Sequence, residues 1–199
     1  MKKLFFICLS IMLTTSAYAQ NGSKKATNIL VGITPELGTT KGTITWRDGV
    51  KEKCSFNKDL GVTIGLERVI NGYIILPELH YLRGSYKSAE SDDEILLSIR
   101  NYDKLNQYGF IQWFGFSINS QRRVQVPLMA GIGVDYVDGT PFDHVVLFDY
   151  GAKARVKVYI TPKFGLFVGG AIQAASGSYD NDKMRIRNIT SELGFTVTL

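Results

Sequence analysis

Apolar and polar side chains alternate along residues 144–160, and this pattern constrains the chain more than any other feature. Lys153, Arg155 and Lys157 take every second position near the end of the segment. The positions between them are all apolar: Ala152, Ala154, Val156, Val158 and Ile160. A period of two places successive side chains on opposite faces of a β-strand. The segment is therefore predicted to be a strand with one cationic face and one apolar face.

Seven further segments show the same period, and no long segment keeps the 3.6-residue period of an amphipathic helix. They are residues 27–36, 59–70, 73–85, 107–119, 123–136, 164–175 and 186–199. The pattern is least regular in 107–119, where Gln112 shares a face with phenylalanines while Ile111 and Trp113 point the other way. A bulge or a displaced register would accommodate this irregularity. The sequence thus predicts eight strands.

The connections between these strands alternate in length. The short ones are Asn71–Gly72, which is a favoured hairpin turn, and residues 120–122 and 161–163. The longer, polar ones are residues 38–58, 86–106, 137–143 and 176–184. Short turns at one end and long loops at the other are typical of outer-membrane barrels, whose strands need about 9–11 residues to cross a bilayer. We therefore expect an all-β fold, a closed antiparallel eight-stranded transmembrane β-barrel located in the cell outer membrane.

Alternation alone does not decide which face is outside, because a soluble lipocalin-like barrel alternates in the opposite sense. Glycine separates the two alternatives, since a narrow lumen needs small side chains whereas a water-exposed face does not. On the apolar faces the only glycine is Gly170. The polar faces hold Gly32, Gly61, Gly65, Gly84, Gly109, Gly115, Gly131, Gly133, Gly151, Gly165, Gly169 and Gly194. The polar face is therefore predicted to line the lumen. Arg68 and Arg187 fall on the apolar face, near predicted strand ends where long side chains reach the interface.

The first nineteen residues have the features of a cleavable signal peptide. Lys2 and Lys3 precede an apolar run of ten residues that is interrupted by Ser10, and Ala17-Tyr18-Ala19 provides a small-x-small cleavage site. We expect residues 1–19 to be removed and residues 20–199 to form one barrel domain. Loss of the two lysines lowers the formal net charge from +5 to +3. This mild charge gives no indication of nucleic acid binding.

An inward orientation buries the three cations of residues 153–157, and buried charges need partners. Candidate carboxylates on the same predicted face are Glu36, Glu67, Glu78, Asp135, Asp149 and Glu192. The distance from the short-turn end places Glu67, Glu78 and Glu192 near the level of the cations. We therefore predict a structural luminal ion network. Its predicted members are Glu67, Glu78, Asp149, Lys153, Arg155, Lys157 and Glu192.

Two stretches show a family resemblance. In YIILPELHYLRGSY (73–86), residues Pro77, Glu78, Leu79, Tyr81 and Gly84 match a strand motif, and RVQVPLMAGIGV (123–134) contains the pair Pro127-Leu128. Both resemble the outer membrane protein β-barrel domain family, which is also called the porin family. The resemblance implies an eight-stranded barrel in the outer membrane of a Gram-negative cell, with no common activity.

The sequence indicates no enzyme and no cofactor. Two histidines and the single cysteine left after cleavage do not form a usual zinc site, so no metal site is expected. The leading expectation is a non-enzymatic envelope role, structural or through binding by the outer loops. The alternatives are a small channel and a lipid-modifying enzyme that would use His80 with Ser85 or Ser88. Expected partners are outer membrane lipid and lipopolysaccharide, and the barrel assembly machinery through the C-terminal strand.

Overall fold

The computed structural model describes residues 25–35, 38–91, 104–118, 123–139 and 144–199, and in this part the chain folds into ten antiparallel strands. The predicted signal peptide and Glu36 lie outside the described residues. The strands are β1 (Lys25–Thr34), β2 (Gly38–Thr45), β3 (Lys51–Lys58), β4 (Gly61–Ile70), β5 (Tyr73–Ser91), β6 (Leu105–Ile118), β7 (Val124–Asp138), β8 (Val145–Tyr159), β9 (Phe164–Tyr179) and β10 (Asp182–Thr198). No helix among the described residues is long and apolar enough to cross a membrane.

Eight of these strands close into a ring. Following the hydrogen bonds around the barrel gives the order β1, β4, β5, β6, β7, β8, β9 and β10, and β10 pairs with β1 to complete the circle. Closure leaves no open sheet edge, so backbone groups bond to neighbouring strands, as a hydrocarbon environment requires. The expected closed antiparallel eight-stranded barrel is confirmed.

The remaining two strands correct the prediction for residues 38–58. This segment is a β-hairpin rather than a polar loop, with β2 paired to the first half of β10 and β3 paired to the second half of β5. The hairpin thus continues the barrel wall above β1 and β4. Its outward side chains are polar, and they are Thr39, Lys41, Thr43, Thr45, Lys51, Lys53, Ser55 and Asn57. The wall therefore extends beyond the apolar belt into water.

Other connections are also shorter than predicted. Strands β9 and β10 run up to Asp180–Asn181, a two-residue turn in which both residues have positive φ, as a type I′ hairpin turn requires. Strand β5 extends to Ser91 before the undescribed residues 92–103. The barrel thus projects farther on its outer side than the sequence indicated.

Strand β6 is regular, so no bulge occurs in residues 107–118, the part of the segment 107–119 that the structure describes. It pairs in one continuous register with β5 and with β7. Ile111 and Trp113 simply face the lumen, where both are fully buried. A register shift occurs instead in the pairing of β3 with β5, between Ser55 and Phe56.

The orientation of the side chains in residues 144–160 decides between a membrane barrel and a soluble barrel. The lumen-facing Lys157 is 0% exposed and Arg155 is 1% exposed, whereas Val156 and Val158 on the same strand are 40% and 45% exposed. Apolar side chains form the outer surface around the ring, for example Ile172 and Val168 at 66% and 59%. Charged side chains inside and bare hydrocarbon outside are the arrangement of a transmembrane barrel.

Aromatic side chains border this belt. Tyr81, Tyr108 and Tyr136 stand side by side on three adjacent strands, with ring centroids 4.9 Å and 6.3 Å apart. His144 stacks on Tyr136 at 6.2 Å. Tyrosines gather where hydrocarbon meets polar headgroups, because the ring is apolar and the hydroxyl is not. This row marks the outer membrane–water interface.

Candidate functional site in the barrel lumen

The lumen is filled by alternating apolar and polar layers. An inner apolar layer lies toward the short turns and consists of Leu30, Val69, Ile74, Leu76, Ile111, Trp113, Met129, Phe167 and Ala171. An outer apolar layer lies within the projecting end and consists of Ile44, Cys54, Phe56, Leu105, Val137, Val145, Leu147, Ala175, Met184 and Ile186. Two polar groups of side chains fill the bore alongside and between these layers.

The first group contains six of the seven residues of the predicted ion network. Arg155 donates from Nη2 to Glu78 Oε2 at 2.6 Å and to Glu192 Oε2 at 2.9 Å, and its Nε also donates to Glu192. Lys153 pairs with Glu78 and lies 3.3 Å from Glu192 Oε2. Lys157 pairs with Glu67. Three carboxylates thus meet three cations, and the group is formally neutral.

Neighbouring side chains hold this network in place. Trp113 Nε1 donates to Glu78 Oε1 at 3.2 Å, and Asn28 Nδ2 donates to Glu67 Oε1 at 2.8 Å. The Lys153 ammonium lies 4.7 Å from the centroid of the Trp113 ring, within the range of a cation–π contact. Additional hydrogen bonds of this kind are what a buried ion pair needs to offset its desolvation.

Glycine makes the closest of these contacts geometrically accessible. Arg155 and Glu192 both pair with Gly169, which stands between them on β9. A Cβ on Gly169 would lie 2.8 Å from Arg155 Cγ. The missing side chain therefore lets the two ionic partners meet across an intervening strand. Crowding of this kind is the reason that glycine marked the lumen in the sequence.

Asp149 lies elsewhere, so its inclusion in the predicted network is wrong. It belongs to a second polar group, the His80 cluster, made of His80, Asp135 and Asp149. One ligand-capable atom from each of the three lies within 4.8 Å of the others, and all three residues are buried. His80 Nε2 is 3.1 Å from Asp135 Oδ1.

The pairing register explains why these residues meet. His80 on β5 and Asp135 on β7 both pair with Gly109 on β6, so the two side chains approach over a residue that has none. Asp149 on β8 lies diagonally beside Asp135, because Asp149 pairs with Gly133. The alternation pattern predicted Asp135 and Asp149 to face the lumen, but it could not predict the cluster, because that requires the registers of three strand pairs.

The serine–histidine arrangement considered from the sequence does not form. Ser85 is on the outer face of β5, where its Oγ donates to Asp59 Oδ2 at 2.9 Å. Ser88 is exposed on the same strand. His80 points into the lumen, on the opposite face. Neither serine can therefore be activated by this histidine in the described geometry.

No family model and no curated protein matches the chain. Solved structures do. The crystal structure of Neisserial surface protein A matches with a TM-score of 0.55 and 13% identity, over 88% of this chain and 99% of that chain. The solid-state NMR structure of outer membrane protein AlkL in DMPC bilayers matches with a TM-score of 0.53 and 10% identity, over 92% and 94%. At identities this low, the structural matches show a shared fold alone.

The protein is a transmembrane β-barrel of the outer-membrane type. The closed ring, the exposed apolar belt and the shared fold agree on this, and they assign the chain to the cell outer membrane. The expectation of a small outer-membrane barrel is therefore confirmed. The narrower porin-family assignment finds no matching family model.

Proposed function

We propose that this barrel is a non-enzymatic envelope protein that does not conduct solutes and that binds lipopolysaccharide at its outer end. The filled lumen supports the first part. The luminal ion network, the His80 cluster and the two apolar layers occupy successive levels of the bore. An eight-stranded barrel is just wide enough for its side chains to fill.

The observation that carries the second part is a cationic face on the outside of β10, β2 and β3. Three successive rungs each contain two cations among the paired residues: Lys183 and Lys51, Arg185 and Lys53, and Arg187 beside Lys41. All six point outward, and Glu90 borders the face on β5. Clustered Lys and Arg side chains are a recognised means of binding anionic lipid headgroups.

The height of this face fits the phosphates of lipopolysaccharide. Arg187 is two residues from Ile189, which is 54% exposed on the lipid-facing side of β10. The cations therefore begin directly above the apolar belt, at the level where headgroups start. Arg185 Nη2 also donates to Tyr150 Oη at 3.3 Å, which ties the face to an interfacial tyrosine.

The test compares a triple variant of the face with a double variant elsewhere. Lys41→Gln, Lys53→Gln and Arg187→Gln together remove one cation from each of three strands of the face. The control replaces exposed cations at the short-turn end, Arg123→Gln and Lys163→Gln. Binding of lipopolysaccharide to the purified barrel should weaken at least tenfold for the first set only, with each phosphate contact contributing about 1 kcal/mol. Equal weakening in both sets would contradict a specific face.

Planar bilayer recording tests the absence of conduction. The wild-type barrel is expected to show no single-channel steps, because ions would have to displace buried salt bridges. Regular steps of uniform size would favour the small channel instead. The C-terminal strand is proposed to contact the assembly machinery, and its outward Leu193 and Phe195 are 45% and 41% exposed.

A further inference from the structure

The His80 cluster differs from the luminal ion network in its charge. The network balances three carboxylates with three cations, whereas the His80 cluster places two carboxylates beside one imidazole. Among the described residues, no lysine or arginine forms an ion pair with Asp135 or Asp149. Both aspartates are 0% exposed. Two ionised carboxylates beside a neutral imidazole give the buried cluster two negative charges with no cation to balance them. Uncompensated buried charge is strongly unfavourable.

Each carboxylate of the cluster accepts a hydrogen bond from the side-chain amide of a glutamine. Asp135 Oδ2 accepts a hydrogen bond from Gln107 Nε2, and Asp149 Oδ2 accepts one from Gln173 Nε2 at 3.2 Å. Gln107 is fixed in turn, because its Oε1 accepts from Asn188 Nδ2 at 2.9 Å. Glutamine amides that orient carboxylates in this way resemble the outer shell of a metal site.

The other oxygen of each carboxylate makes no hydrogen bond, although Asp135 Oδ1 lies 3.1 Å from His80 Nε2. Oδ1 of Asp135 and Oδ1 of Asp149 are buried and have no hydrogen-bond partner in the described part of the chain, and the same holds for His80 Nε2, which faces Asp135. Gly109 keeps the space between them clear, since a Cβ there would lie 1.9 Å from Asp135 Oδ1 and 2.3 Å from His80 Nε2. Unsatisfied buried polar atoms that converge on one place indicate a missing positive partner.

We propose that His80, Asp135 and Asp149 bind a divalent transition metal ion, for which Zn²⁺ is the best match. One imidazole nitrogen and two carboxylate oxygens are ligands that Zn²⁺ accepts at about 2.0–2.2 Å. The ion would make the cluster neutral while His80 stays uncharged. The 4.8 Å spread of the ligand atoms requires side-chain movement of roughly 1 Å to reach these bond lengths. Counting only histidines and cysteines in the sequence missed such a site.

The position of the cluster determines how the metal enters. Asp135 and Asp149 each lie two residues from a member of the outer apolar layer, Val137 and Leu147 respectively. On the other side, Glu78 of the ion network lies two residues from His80. The site is therefore enclosed from both ends of the barrel. The metal should enter while the barrel folds and should exchange slowly afterwards.

The experiment refolds the barrel of residues 20–199 in detergent with Zn²⁺, removes free metal with a chelator, and measures zinc by atomic emission. Wild type should retain one Zn²⁺ per barrel. Asp149→Asn and His80→Gln should each lower the affinity at least tenfold. His144→Gln is the matched control, because His144 lies outside the lumen beside Tyr136, and it should retain zinc. Wild type without zinc, or loss of zinc only in His144→Gln, would overturn the proposal.

A second measurement remains decisive if a variant binds poorly because it folds poorly. Stability of wild type and Asp149→Asn is measured with zinc and with chelator. The metal site predicts a crossover, in which Asp149→Asn is less stable than wild type with zinc and more stable without it, since the substitution removes repulsion between carboxylates. If the two carboxylates share a proton and bind no metal, the stability difference between the two proteins will be the same in both conditions.

Discussion

Arg155 Nη2 on β8 lies 2.6 Å from Glu78 Oε2 on β5, although the two strands are three positions apart around the barrel. The contact therefore crosses the lumen. Both side chains are almost completely buried, so each charge depends on the other and on Glu192 and Lys153. This cross-lumen pair connects opposite walls of the barrel and blocks its bore.

Breaking the pair on one side should strongly destabilise the barrel. Glu78→Gln leaves Arg155 and Lys153 with one carboxylate between them, and removal of one partner from a buried pair costs about 3–5 kcal/mol. Urea unfolding of the barrel in lipid vesicles measures this change. The control is Glu90→Gln, an exposed acid on the same strand, for which the change should be within about 0.5 kcal/mol. Equal effects of the two substitutions would show that the network contributes no stability.

Two adjacent glycines on β9 provide a second test. Gly169 faces the lumen between Arg155 and Glu192, and a Cβ there would lie 2.4 Å from the carbonyl oxygen of Ala154. Gly170 faces outward, and the nearest atom to its Cβ would be 3.0 Å away. We expect Gly169→Ala to lower the free energy of unfolding by about 1–3 kcal/mol, as for overpacked cores.

Gly170→Ala serves as the control and should change the free energy of unfolding less than Gly169→Ala does. The same urea titration reports both variants, and heat-modifiable gel mobility checks that each has folded. If Gly170→Ala proved the more damaging substitution, the assignment of the crowded face to the lumen would be wrong.

Lys58 should make stability depend on pH. It ends β3 above the apolar belt, between the outward-facing polar residues Asn57 and Asp59, and points inward with no hydrogen-bond partner for Nζ among the described residues. Burial lowers the pKa of Lys58 from 10.5 to about 7. Between these two values the unfolded chain binds the proton and the folded barrel does not, so stability rises with pH.

Lys58→Met removes this titration. The free energy of unfolding should therefore rise less between pH 7 and about 10 in Lys58→Met than in wild type. Lys53→Met replaces an exposed lysine on the same strand and should keep the wild-type slope. Identical slopes in all three proteins would mean that Lys58 is not desolvated in the folded state.

Alternation along single strands made most of the fold predictable. Each strand crossing the membrane has one face in hydrocarbon, so its period of two is visible without knowledge of its neighbours. The β2–β3 hairpin was missed because it lies above the hydrocarbon. There the outside is polar, and the apolar face is reduced to a few inward residues such as Ile44 and Phe56.

The ion network was predictable for a related reason. Asp149 shows what the alternation pattern cannot predict, which is whether two luminal side chains lie at the same height. Lys153, Arg155 and Lys157 lie on one strand, so their inward direction follows from the pattern alone. Asp149 shares that face but lies four residues from Lys153, or roughly 13 Å along the strand. Facing the same lumen is therefore not sufficient for contact. Height along the barrel and the register of the strand pairs decide which luminal residues meet.

The direction of the β8 side chains is tested most directly by NMR of the wild-type barrel in lipid nanodiscs. Selectively labelled methyl groups are examined for cross-relaxation with lipid acyl chains. Val156, Val158 and Val168 should show contacts to acyl chains, and Leu76 and Ile111, which are 0% exposed inside the lumen, should show none. Acyl-chain contacts from Leu76 and Ile111, with none from Val156 and Val158, would mean that the charged face of β8 points away from the lumen.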